Sequence, residues 1–456
     1  MRLAPLLGLV PFLFYACSAS RPAPDAPDAT TPTDAGNVDT SEPFDAPAPL
    51  DGPFGWDVSD VDATILHPCS LPGSIQYTST GVVVVPGGSG GGPDLSYLTV
   101  PTGFCVHYYG TVGNVRQLRF APGGELFVAS PTTSTTGGGL DGMSAIAVLP
   151  DDDHDGLADS VLTYLGSLPS TQGLLFAGGF LYYQNGTQIM RVPYAVGDRA
   201  PSGASEEVAD ISVYTSIAHW PKTLDIADDG TIYVGNGGDQ DDLCDPLHPF
   251  HGGILALDGT PGGLQVAKGM RNPIAVRCAR GHDHCFAVEL GKDSSQADFG
   301  REKIVPIRQG DDWGFPCCAT ENTPFAGITP TPNCATVASE SESFYIGNTP
   351  FGIDFEPGRW PAPWGGSAFV TLHGSYGLWT GARVVAIGMD PTTGLLLPGS
   401  DLEGGDTGDV SDFAVGWDDN RRDHGRPAAV AFSTDGRLFL GNDNDGSVVW
   451  IAPLSL

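Results

Sequence analysis

Six short runs of alternating β-formers punctuate the chain, each opened by a turn carrying Gly or Asp. They are PGGELFVAS from Pro122, AGGFLYYQN from Ala177, DDGTIYVGN from Asp228, GHDHCFAVE from Gly281, WGGSAFVTL from Trp364 and TDGRLFLGN from Thr434. Alternation with a period of two sends successive side chains to opposite faces of a strand, and the turn residues in front tolerate the backbone conformations that reverse a chain. The spacing is about 50 residues for the first four runs and longer for the last two, and long helical periodicity is almost absent. A unit of that length repeated around an axis predicts four-stranded antiparallel blades, and hence an all-β, six-bladed β-propeller over residues 67–456. The main alternative, a pair of β-sandwiches, has no need of a sixfold repeat.

The chain ahead of residue 67 lacks this pattern. MRLAPLLGLVPFLFYAC has one basic residue and a short apolar stretch from Leu6 to Tyr15, too short to span a bilayer, so residues 1–16 read as a signal peptide. Its end resembles a bacterial lipobox, with Cys17 as the lipid-bearing first residue. Phe14 stands where Leu is usual, and a plain secretory signal is the alternative. Residues 17–66 are rich in Pro, Asp and Ala, with ten acids and one base between Arg21 and Asp62. So little apolar surface cannot offset chain entropy, which predicts a disordered tether. The expected address is an exported, lipid-anchored protein of the periplasm or cell surface; Ser18 after Cys17 resembles an outer-membrane signal.

Composition narrows the partners. The 456 residues include 54 acids and 21 Lys and Arg, for a net charge of −33. That field repels nucleic acid and anionic lipid surfaces, leaving the membrane to the N-terminal anchor alone. Eight cysteines follow Cys17, an even number that favours disulfides in an exported chain. Cys278 and Cys285 flank a short loop and predict a local hairpin disulfide; Cys334 is expected to close on Cys317 or Cys318. No spacing forms a paired CxxC zinc site.

With cations so few, their placement matters. Arg116 precedes the first repeat, Arg271 and Asn272 precede the fourth in KGMRNPIAVR, and Arg426 precedes the sixth in GRPAAVAF. His219 precedes the third in AHWPKTLDIADDG. Each lies upstream of an apolar run that leads into a repeat, so each is expected at an equivalent blade edge. Pro273 makes Arg271–Asn272 a turn on its own account. The same placement in four blades points instead to a shared anion-binding pocket at the central channel.

From roughly Leu98 onward the chain resembles the soluble quinoprotein sugar dehydrogenases, the glucose and sorbosone dehydrogenases that use pyrroloquinoline quinone. The carrying segments include VRQLRFAPGGELFVAS, HWPKTLDIADDGTIYVGNGGDQ, GMRNP, GDDWGFP, FVTLHGSYG and GRPAAVAFSTDGRLFLG, in that order. The resemblance implies that Arg116, Arg271, Asn272 and Arg426 bind the quinone, whose three carboxylates suit guanidinium forks. It implies His219 as general base, taking a hydroxyl proton as hydride moves to the quinone C5. His373, in LHGSYG, matches a further motif residue and is a candidate for the pocket. A Ca²⁺ over the quinone would take mostly oxygen ligands, with the loop around Leu290–Asp293 and Glu302 as candidate surroundings. A sugar substrate and an external electron acceptor complete the implied reaction.

The sequence departs from that pattern at Ala218, where glucose enzymes of this type carry an acid that would orient the base, and at Lys222, near a place where Arg is common. Two other readings therefore stand: a non-catalytic surface binding propeller, and a Ca²⁺-dependent lactonase-type hydrolase, which would need acids rather than arginines converging on the channel. DDDHDGLAD, residues 151–159, spaces its acids like an EF-hand loop but has Leu162 at the twelfth position, which favours a surface turn. GNGGDQDDLCD, residues 235–245, is a comparable acidic loop following the His219 repeat.

Overall fold

The computed structural model describes residues 67–455 apart from 89–91, 133–142, 212–218, 240–243, 259–262, 283, 293–300, 340–341, 376–379, 398–409 and 420–423. The expected signal peptide, Cys17, the tether and Ala218 lie outside the described residues.

The six-bladed β-propeller is present. Blade 1 comprises β4 (Gln117–Phe120), β5 (Leu126–Ser130), β6 (Ala145–Leu149) and β7 (Leu162–Leu165). Blade 2 comprises β8 (Leu174–Ala177), β9 (Phe180–Asn185), β10 (Gln188–Pro193) and β11 (Glu206–Asp210). Blade 3 comprises β12 (Leu224–Ile226), β13 (Ile232–Asn236), β14 (Gly253–Leu257) and β15 (Leu264–Lys268). In blade 4, β16 (Asn272–Ala279), β17 (His284–Leu290) and β18 (Arg301–Pro306) pair on to β21 (Glu342–Tyr345), after a small hairpin of β19 (Cys318–Thr320) and β20 (Thr323–Pro324). Blade 5 comprises β22 (Pro350–Phe355), β23 (Ala368–Leu372), β24 (Arg383–Ile387) and β25 (Val410–Val415). Blade 6 comprises β26 (Arg426–Phe432), β27 (Leu438–Asp443) and β28 (Ser447–Pro453), and its fourth strand comes from the other end of the chain: β3 (Phe104–Thr111) pairs with β28, Pro453 opposite Phe104. That pairing closes the ring by joining the two ends of the propeller chain in one blade. β1 (Ile75–Thr78) and β2 (Gly81–Val84) extend this sheet outward.

The six alternating runs are the second strands β5, β9, β13, β17, β23 and β27, each entered through a turn from the first strand of its blade. Their alternation serves two seams at once. In β5, Leu126 and Val128 join the core between blades 6 and 1, whereas Phe127 and Ala129 join the core between blades 1 and 2. Blade 5 repeats the arrangement, with Phe369 facing blade 6 and Ala368, Val370 and Leu372 facing blade 4. A blade buried on both faces must be apolar at odd and even positions alike. Each fully buried Phe or Leu contributes about 1.5–3 kcal/mol.

Four disulfides join Cys69–Cys105, Cys244–Cys317, Cys278–Cys285 and Cys318–Cys334. The hairpin bridge stands as expected, since Cys278 and Cys285 face each other in the β16–β17 register. Cys334 takes Cys318, which leaves Cys317 for Cys244.

First strands of successive blades pack on one another, and β26 packs on β4, so these six strands ring the central channel. All run the same way along it. Their starts mark one mouth, and their ends mark the other.

Candidate functional site

The exit end of the channel is tied by ion pairs. Asp225, fully buried on β12, contacts Arg119 of β4 at 2.9 Å, Arg277 of β16 at 3.4 Å and Arg280 at 3.1 Å. Arg277 also reaches Asp354 of β22 at 2.7 Å, and Asp354 accepts from the Phe432 N–H of β26 at 2.8 Å. Five of the six first strands are linked in this way. Carboxylates do enter the channel here, but as partners of guanidinium groups.

The entry end carries the residues expected from sequence, in two groups. The first centres on Asp443, the last residue of β27, which is 1% exposed. Arg426, directly opposite in the β26–β27 register, donates from Nε to Oδ1 at 3.2 Å and from Nη2 to Oδ2 at 3.3 Å. Arg116 Nη2 lies 3.5 Å from Oδ2, while its Nε donates to Asn114 Oδ1 at 3.1 Å. His373, just beyond β23, completes the group with Nε2 2.7 Å from Oδ2. Phe351 packs between them, its ring centroid 4.7 Å from that of His373 and 5.2 Å from the Arg116 guanidinium carbon. Blades 1, 5 and 6 thus converge on one carboxylate.

The charges follow from this geometry. Burial, with Arg426 beside it, pushes the His373 pKa down to about 4, so the imidazole is neutral near pH 7 and its Nε2–H donates to Asp443. Burial works against ionising Asp443, but His373, Arg426 and Arg116 outweigh it and hold the carboxyl far below the usual range. Burial also lowers the Arg116 pKa, opposed by Asp443. Two guanidinium groups thus share one buried carboxylate within a strongly acidic protein.

The second group spans blades 3 and 4. His219 is 2% exposed, and its Nδ1 lies 2.8 Å from the Gly238 carbonyl oxygen. A carbonyl only accepts, so Nδ1 carries the proton and the basic lone pair of the neutral ring is on Nε2. The Gly238 N–H donates to the Arg271 carbonyl at 2.6 Å, so one peptide segment joins the histidine to the Arg-Asn corner. Glycine is required beside it: a Cβ on Gly237 would lie 2.2 Å from the His219 Cβ. Arg271 is 6% exposed, and its N–H donates to Glu289 Oε1 at 2.8 Å. Asn272 heads β16. Lys222, three residues after His219, is fully buried with Nζ 3.5 Å from the Trp220 carbonyl, and burial lowers its pKa to about 7.

Arg116, Thr223, Phe351 and Gln172 also line the channel. Asn272 Oδ1, Thr223 Oγ1 and Gln172 Oε1 are buried without a hydrogen-bond partner among the described residues. Such atoms suit a polar ligand or ordered water. Glu302, expected near calcium, accepts from the Thr349 N–H, and Asp293 lies outside the described residues. The clusters of three potential metal-ligand side chains among the described residues are Asp151, Asp153 and Asp155 on a loop, and Asp239, His248 and His251. Neither is an all-oxygen set at the channel mouth.

Sequence reasoning passed over Asp443, Gly238 and Glu289. Asp443 and Glu289 sit at or near the ends of second strands, the positions where the six quoted runs stop. Pairing each first strand with its own hairpin partner would have placed Asp443 opposite Arg426.

No protein-family model and no curated protein matches the sequence. Solved structures do match in fold. The calcium structure of a Trichoderma reesei enzyme of carbohydrate-active family AA12 is 17% identical, with 79% of this chain and 98% of that one covered at a TM-score of 0.64. The holo form of the pyranose dehydrogenase PQQ domain from Coprinopsis cinerea is 15% identical, with 79% and 98% covered at 0.61. The PQQ-bound aldose sugar dehydrogenase of Streptomyces coelicolor is 18% identical, with 77% and 99% covered at 0.51. With its ring closed by β3, this chain shares the propeller fold of these three structures.

Proposed function

We propose that the protein is a quinoprotein dehydrogenase that oxidises a sugar or other polyol with pyrroloquinoline quinone bound at the entry mouth of the channel. The observation that carries this reading is the His219 tautomer: a buried imidazole held through Nδ1 by the Gly238 carbonyl, at the same end of the channel as three arginines. The donor set fits the quinone. Arg116, Arg426 and Arg271 would meet its carboxylates, and Asn272 offers a buried polar side chain beside them. When bound, the quinone supplies a two-electron acceptor for a substrate hydride.

The protein residues do the rest. His219 Nε2 takes the proton of the substrate hydroxyl while the Gly238 carbonyl stabilises the imidazolium that forms, which supplies the orientation expected of an acid near Ala218. Asp443, kept anionic by its arginines, prevents two buried guanidinium groups from facing each other uncompensated. Phe351 packs against Arg116 and His373 and covers that side of the mouth. No step is assigned to calcium, for which the described side chains supply no oxygen set at the mouth.

The test is to titrate the purified protein with pyrroloquinoline quinone and Ca²⁺, follow the quinone spectrum, and then add a panel of aldoses and polyols with a dye acceptor. Binding followed by reduction supports the enzyme. Quinone binding without reduction by any sugar would make it a binding module, and no binding would leave only the scaffold.

A further inference from the structure

Asp239 follows Gly238 directly, yet its carboxylate engages neither His219 nor Arg271 in the contacts around that glycine. It meets two other imidazoles instead. Oδ2 contacts His248 Nδ1, and Oδ1 lies 3.3 Å from His251 Nδ1. One ligand atom from each of the three residues falls within 4.8 Å of the other two. The rings stand 5.8 Å apart at 66° to each other, so they approach the carboxylate from different directions.

The backbone is arranged to hold these side chains. The His251 N–H donates to the His248 carbonyl at 3.1 Å, closing a turn that brings the two histidines together. Asn236, at the end of β13, donates from Nδ2 to the Phe250 carbonyl at 2.8 Å within that turn. Gly252 follows at φ +59°, where a Cβ would lie 2.3 Å from the Met270 carbonyl oxygen. The Cys244–Cys317 disulfide fastens the same connection to the segment before β19. His251 is 4% exposed and His248 76%, so the cluster runs from the interior out to solvent.

We propose that Asp239, His248 and His251 form a mononuclear site for a first-row divalent transition ion of the Zn²⁺ class. Two imidazole nitrogens and one carboxylate oxygen form a donor set suited to such ions, whereas Ca²⁺ takes six to eight oxygens. Three protein ligands leave a further coordination position, and the exposure of His248 places it toward solvent. The site is separate from the quinone pocket in its ligands but shares a peptide with it. An ion bound to Asp239 would restrain the residue next to the carbonyl that orients His219, giving the metal a positioning effect on the mouth.

The experiment uses the full chain, prepared without a polyhistidine tag, stripped with EDTA and kept free of quinone, so that its result is independent of the dehydrogenase reading. Zn²⁺ is titrated calorimetrically, and Co²⁺ is added in parallel to read its ligand-field bands. One ion per chain is expected, with cobalt bands of a nitrogen- and oxygen-ligated site. His248→Ala, at an exposed position that leaves the fold intact, and His251→Gln should each weaken binding by more than the roughly 10–100-fold lost with an outer-shell partner. Asp153→Asn, in the separate acidic loop, should leave the isotherm unchanged. No stoichiometric binding, binding indifferent to His248→Ala and His251→Gln, or binding lost with Asp153→Asn would each overturn the proposal.

Discussion

His219 Nδ1 lies 2.8 Å from the Gly238 carbonyl oxygen and donates to it. This bond fixes which nitrogen is basic and ties that choice to the peptide held by Arg271. In His219→Gln the side-chain amide can still donate to Gly238, but no basic nitrogen remains. Quinone binding should persist while turnover falls by roughly 10²–10⁴. Spectral titration followed by dye-linked kinetics reads both quantities, and undiminished turnover would remove His219 from the mechanism.

Arg271→Ala should separate cofactor binding from folding. Two bonds that place this residue in the blade run through its backbone, to Gly238 and Glu289, and survive the substitution. A lost charge-assisted hydrogen bond contributes about 1.5–3 kcal/mol, so quinone affinity should drop ~10–100-fold. The thermal midpoint without quinone should change little. A collapse of that midpoint with unchanged affinity would make Arg271 a structural corner.

Asp443→Asn removes the carboxylate shared by Arg116, Arg426 and His373. Two buried guanidinium groups lose the carboxylate they share, at a cost of about 3–5 kcal/mol. Quinone carboxylates entering the mouth should offset part of that loss, so added quinone should stabilise Asp443→Asn more than the parent in urea unfolding. Equal stabilisation of the two proteins would place the carboxylates elsewhere.

Lys222 gives a signed pH effect. Its pKa is lowered from 10.5 to about 7 in the fold because burial disfavours the charge. Between those values the unfolded chain binds more protons than the folded one, so stability rises with pH across this window; below about pH 7 both states are protonated and the whole penalty stands. A shift of that size corresponds to about 5 kcal/mol. Lys222→Met should be more stable at pH 7 and should lose most of the rise in unfolding midpoint up to pH 10. Parallel stability curves for the two proteins would refute this assignment.

The proposed lipid anchor has its own test. Cys17→Ser, expressed in a Gram-negative host, should move the protein from the membrane fraction to the soluble periplasmic or secreted fraction. Continued membrane fractionation of the variant would show that Cys17 is not the attachment point.

The propeller was legible from the chain because blade formation is a near-neighbour matter. A Gly or Asp turn and an alternating strand lie within nine residues of each other, and the six runs became the six second strands. The Cys278–Cys285 bridge was legible for the same reason, since a hairpin sets it. Cys244–Cys317 was not: its partners are 73 positions apart, and the competing neighbours Cys317 and Cys318 are told apart only by how the segment before β19 folds.

The candidate site divides along the same line. Arg116, His219, Arg271 and Arg426 were found because each stands just before or at the start of a first strand, a position that recurs from blade to blade. The partner of Arg116 depended on closure. Pairing of β3 with β28 completes the ring and brings blade 1 beside blade 6, so that Arg116 and Arg426 share Asp443; the meeting of His248, His251 and Asp239 depends on a turn and a disulfide outside the repeat. The sequence by itself determined the blades and the edge at which Arg116, Arg271 and Arg426 recur, because alternation and turns act over a few residues. Tertiary structure decided which charges meet across blades, because Arg116 and His373 reach Asp443 only when blades 1, 5 and 6 are brought together, and it decided which histidine nitrogen is left basic, because His219 meets Gly238 only when the segment before β12 packs on the one after β13.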